Sequence, residues 1–141
     1  MNKKGYTLVE VLTSIVVVGI VFLAMTSMLI SSAKINKKLL IKENIVSEIE
    51  NINNLFSSNP TKFEEFLKQV YKFEEELDDK FTIYYDSRYV MSDYKTKNHI
   101  DIIYTKENGS YSITINVYHD DELSVEYSNL TRTIRTEPQL W

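Results

Sequence analysis

Apolar residues crowd one end of this chain. Between Lys4 and Lys34 the only charged residue is Glu10, and Val11 to Ala33 are 23 consecutive uncharged residues, mostly Val, Ile, Leu and Met. As a helix that run would be about 34 Å long, enough to cross a bilayer once. No Pro or Gly occurs between Gly19 and Pro60, so the helix is expected to continue past Ala33. Ile35, Leu39, Ile45, Ile49, Ile52 and Phe56 recur at helical steps, while Lys37, Lys38, Lys42, Glu43, Glu48 and Glu50 fall on other faces. The pattern predicts one helix from about Tyr6 to about Phe56, apolar all round in its first half and one-sided in its second. Ser57, Ser58 and Asn59 are expected to stop it.

Asn59-Pro60 reads as an N-cap followed by proline at the first helical position. Phe63, Phe66, Leu67, Val70, Tyr71 and Phe73 or Glu74 then predict a short second helix that fades in the acidic run Glu74–Asp79. After Lys80 the period changes to two. Phe81–Asp86, Ile100–Lys106, Tyr111–His119 and Leu123–Leu130 read as strands, with turns at Asn108-Gly109 and Asp120-Asp121. Tyr111, Ile113, Ile115 and Val117 would share one face of an antiparallel meander, available to cover the long helix. Ser87–Asn98 reads as a loop or a short extra strand and Thr136–Trp141 as a tail. The expected fold class is α+β: a long N-terminal helix, a short second helix, and a C-terminal antiparallel β-meander packed on the helix.

Averages over all 141 residues hide this division. A formal charge of -4, from 16 basic and 20 acidic residues, and a mean hydropathy of -0.25 describe an ordinary acidic globule. The absence of cysteine excludes disulfides and thiolate-ligated metal. With two His and three Gly, neither a multi-histidine site nor a glycine-rich phosphate loop is expected, and the low pI argues against a generic nucleic-acid binder. His99 and His119 have no Ser, Cys or Asp constellation that the sequence places beside them, so no catalytic residues and no enzymatic activity are expected. His119-Asp120-Asp121-Glu122 could be read as a metal site, but four adjacent polar residues in a hairpin turn are more often solvated. No cofactor and no metal are expected.

The ordered segment Lys3-Lys4-Gly5-Tyr6-Thr7-Leu8-Val9-Glu10-Val11-Leu12, running straight into the apolar stretch, is the most specific feature. It resembles the class III signal of type IV prepilins and pseudopilins, with Tyr6 replacing the commoner Phe. A secretory signal would instead place a small-residue cleavage site behind the apolar core. The resemblance implies cleavage by a prepilin peptidase between Gly5 and Tyr6, N-methylation of Tyr6, and a filament-assembly role for Glu10. The chain would then divide into a leader (1–5), a transmembrane and assembly half-helix (6–33) and an extracytoplasmic pilin-like domain (34–141). Implied partners are other pilin subunits, the peptidase, the membrane and, indirectly, an assembly ATPase and a membrane platform protein. The implied location is the cytoplasmic membrane with the C-terminal domain outside, and then a surface pilus or pseudopilus. A surface ligand or DNA as partner is left open.

Two departures point within that family towards a minor subunit. The proline that major subunits usually carry about twenty residues into the mature chain is missing around Ser27, and Glu10-Val11-Leu12-Thr13-Ser14 looks more like minor pilins and minor pseudopilins. Such a minor pilin would serve in assembly, at the tip or in adhesion; the alternatives are a pseudopilin of a type II secretion or competence DNA-uptake system and an anchored surface binding protein that never assembles. One count opposes the implied topology. Lys34, Lys37, Lys38 and Lys42 outnumber Lys3 and Lys4, which by the positive-inside rule favours a cytoplasmic C-terminal portion.

Overall fold

A computed structural model describes residues 3–71 and 79–135, with side chains from Thr7 onward. The expected end of the second helix at Phe73 or Glu74, most of the acidic run Glu74–Asp79, and the tail Thr136–Trp141 lie outside the described residues. The chain is α+β, with a first helix, α1 (Lys3–Ser58), a 3-10 turn at Pro60–Lys62, a second helix, α2 (Phe63–Val70), and five strands: β1 (Lys80–Tyr85), β2 (Asn98–Glu107), β3 (Ser110–His119), β4 (Glu122–Leu123) and β5 (Leu130–Arg135). It divides into two compact units, Met1–Leu40 and Ile41–Trp141, and α1 runs through both.

In the second unit the helical stripe does what its spacing predicts from Ile45 onward. Ile45, Ile49, Ile52 and Phe56 are buried in one core with Phe63 and Leu67 of α2 and with Ile83, Ile100, Ile102, Ile113, Ile115 and Val117 of the sheet. Phe56 and Phe63 meet edge to face at 5.3 Å between centroids, a geometry that adds to simple area burial. Ile35 and Leu39 depart from the expected stripe, being 57% and 52% exposed. Periodicity locates an apolar face but not what covers it. Val70 is also exposed, because α2 ends there and Tyr71 turns extended.

Asn59 does not cap α2. Its side chain accepts a bond from the Thr61 hydroxyl at 2.8 Å and its carbonyl accepts from the Lys62 amide at 3.2 Å. Pro60 therefore opens the tight 3-10 turn, and the α-helix begins only at Phe63.

The sheet order is β1-β2-β3-β4, antiparallel throughout, with β5 also pairing with β3. Tyr111, Ile113, Ile115 and Val117 all point into the core, as alternation predicts. Asn108 and Gly109 both take positive φ, 45° and 78°, in a two-residue hairpin closed by the pair Glu107 and Ser110. Asp120 and Asp121 do the same at 52° and 64° without a glycine; Asp tolerates this region better than most residues. Ser87–Asn98 is mainly loop, with a single bridge between Tyr85 and Met91.

The fourth expected strand, Leu123–Leu130, is not continuous. β4 pairs Leu123 with Tyr118, whereas β5 pairs Leu130 with Ile115. Six residues, 124–129, thus stand opposite only Asn116 and Val117. The excursion is fixed by bonds to those two: the Val117 carbonyl accepts from the Ser124 amide, the Val117 amide donates to the Tyr127 carbonyl, and the Asn116 side chain accepts from the Asn129 amide at 2.7 Å. Thr131–Arg135, which the pattern left unassigned, forms the edge strand instead.

Candidate processing and assembly segment

Valine, leucine and isoleucine dominate the first unit and leave nothing to interrupt the backbone ladder, so Gly5 and Tyr6 fall within the helical span that starts at Lys3. From Leu8 to Ile30 every large apolar side chain is more than half exposed. This is the one described helix long and apolar enough to cross a membrane, by length and composition. Soluble proteins do not leave such a surface bare.

Thr7, Glu10, Val11, Ser14, Ile15 and Val18 line one side of this helix, as steps of three and four require. The hydroxyls are satisfied along the backbone. Thr13 donates to the carbonyls of Val9 and Glu10 at 3.0 and 2.9 Å, Ser14 to that of Glu10 at 2.8 Å, and Thr26 to that of Phe22 at 2.8 Å. Such back-bonding hides a hydroxyl where no water is available. Glu10 has no equivalent, since among the described residues no side chain bonds or pairs with its carboxylate. Gly19, one residue beyond Val18, has nothing within 4 Å of where a Cβ would lie.

The residues that sequence reading considered for metal or catalysis have other neighbours. His119, Asp120, Asp121 and Glu122 form an exposed turn, held where the Asn98 side chain accepts from the Asp120 amide and the Lys97 carbonyl from that of Asp121. Among the described residues no three His, Asp or Glu side chains gather to hold a metal ion. His99 stacks on Tyr118, 4.4 Å between centroids, and lies against Tyr84 on the outer face of the sheet.

Two polar clusters leave no signal in the sequence, the first because its partners are distant along the chain and the second because its carboxylate bonds backbone amides. Glu48, expected off the apolar stripe, is half-buried and accepts bonds from the hydroxyls of Tyr71 and Tyr85, the latter at 3.0 Å. Burial first, and the neighbouring carboxylate second, raise both phenols well above the usual tyrosine range. Asp86 knots the loop after β1. Its carboxylate accepts from the amides of Arg88 and Val90 at 2.7 and 3.0 Å, and these bonds hold it below the usual carboxylate value. Tyr89, in the left-handed region at φ 58°, is buried; its hydroxyl donates to the Tyr118 carbonyl, and burial pushes it up to about 12.

A family model described as the prokaryotic N-terminal methylation motif matches residues 1–26. No curated protein and no solved structure matches the chain. The match covers the basic leader, Gly5, Tyr6, Glu10 and the start of the exposed apolar helix, so this chain carries at its N-terminus the class III signal of type IV pilins and pseudopilins.

Proposed function

We propose that the chain is a prepilin, a structural subunit of a type IV pilus or a related filament, without catalytic activity of its own. A prepilin peptidase cuts between Gly5 and Tyr6, and Tyr6 becomes the methylated first residue. The precursor is a single-pass membrane protein with its C-terminal part outside the cytoplasmic membrane. Other machinery, an ATPase acting through a membrane platform protein, then lifts the subunit into the filament. There the apolar helices of successive pilin subunits exchange lipid contacts for side-chain packing. The proline-free stretch around Ser27 favours a helix that packs without melting, as in a minor subunit.

The observation that carries this reading is the methylation motif on an exposed apolar stretch entered by one carboxylate, Glu10, which has no side-chain partner among the described residues. A lone ionised carboxylate in hydrocarbon is costly. In the assembled filament Glu10 pairs with the Tyr6 amine of an adjacent subunit, which sets register. Cleavage tests the processing step: Gly5→Arg leaves the precursor uncut on electrophoresis of membranes, whereas Gly5→Ala slows cutting only modestly. Normal processing of Gly5→Arg would place the cut elsewhere and remove the prepilin reading.

A further inference from the structure

Lys34, Lys37 and Lys38 follow the apolar run at once, and all three are exposed. Their positions three and four residues away hold Ile30, Ser31, Ala33, Ile35, Leu40, Ile41 and one another, with Lys42 beyond, but no acid. Like charges at such spacing weaken a helix. Among the described residues none of the three has an ion-pair partner, whereas Lys42 bonds Glu126 at 2.7 Å. The acidic balance of the whole chain makes a local run of unpaired cations more conspicuous. Interleaved with them, Ile35, Leu39 and Leu40 are 57%, 52% and 48% exposed.

We propose that this stretch is a binding surface for the phosphate groups of anionic lipids. The inference rests on the reading of Val11–Ala33 as a membrane span. A run of about 34 Å fills a hydrocarbon core of about 30 Å. Lys34 then lies at the boundary and Lys38 about 6 Å beyond it, at headgroup depth. Side chains that alternate aliphatic stems with ammonium tips suit that boundary: Ile35, Leu39 and Leu40 contact acyl chains while the three amines reach phosphate. The same contacts hold the lysines at the outer surface against the positive-inside tendency. They would have to be released when the subunit leaves the membrane.

The test uses the full chain in neutral detergent micelles doped with phosphatidylglycerol or phosphatidylcholine, with retained lipids counted by native mass spectrometry. Phosphatidylglycerol should be retained preferentially. The triple change Lys34→Gln, Lys37→Gln and Lys38→Gln should weaken that retention by roughly fivefold per lysine, on the order of a hundredfold together. The same charge change at Lys62, Lys95 and Lys97 should leave it intact. Equal loss from both triples, no lipid preference, or equal displacement by matched inorganic phosphate would overturn the proposal. So would disulfide-linked dimers from copies carrying Lys38→Cys and Glu122→Cys, which would identify a second copy as the occupant; the natural chain has no cysteine to confuse this result. Release of the chain from membranes by alkaline carbonate would instead defeat the span reading and this inference with it.

Discussion

Glu10 is the one charge between Lys4 and Lys34 in an otherwise hydrocarbon-rich stretch, and the neighbouring hydroxyls of Thr13 and Ser14 are already committed to the backbone. On the proposed mechanism, Glu10→Gln keeps the shape and removes only the charge. It should be cut like the parent yet be depleted in sheared filament fractions by about tenfold or more, as loss of one buried ion pair implies. Equal incorporation would remove the pairing step. Asp86 makes a different prediction, about stability. Its folded pKa is depressed below 3.8, so its contribution is present above that value and is lost as pH falls through the lower folded one. Asp86→Ala should therefore lower the denaturation midpoint at neutral pH, and the gap from the parent should narrow below 3.8; a gap that does not change with pH would contradict the assignment. Glu10 was conspicuous in the sequence because its neighbours are uncharged. Asp86 was not, because its bonds go to backbone amides that any sequence possesses.

At the scale of elements, long-range periodicity was legible and local exceptions were not. β1, β2, β3 and the course of α1 follow from alternation, helical spacing and the missing breakers. Leu123–Tyr127 also alternates apolar and polar residues, yet Val125 is 95% exposed, because the ladder breaks to seat the excursion on Asn116 and Val117. β5 was hidden for the opposite reason: of Thr131–Arg135 only Ile134 packs against the core, so an edge strand wears a surface composition. The Glu48 cluster links α1, the end of α2 and β1 through one carboxylate oxygen. Tyr71→Phe and Tyr85→Phe should each cost about 1 kcal/mol. Their sum should differ from the double variant, since the two hydroxyls share an acceptor; strict additivity in a double-mutant cycle would count against coupling. Phe56→Ala, at the centre of the aromatic cluster, should cost about 3–5 kcal/mol in denaturant unfolding. A loss below 1 kcal/mol would mean that the core closes around it.

The whole molecule has two units of different surface character. Residues 41–135 contain a conventional core of interdigitated aliphatic and aromatic side chains that holds the strands without disulfides. Residues 7–40 are exposed throughout, an apolar surface that suits lipid or the flanks of other helices. Cleavage after Gly5 would remove Lys3 and Lys4, making the mature chain two units more negative than the precursor's -4. That one cut separates a prepilin from an ordinary membrane anchor, and intact-mass measurement of the protein from membranes of its native host tests it most directly. The account predicts a chain that begins at Tyr6, lacks the first five residues and carries one added methyl group at its N-terminus. A full-length product, or one cut behind the apolar helix, would contradict it.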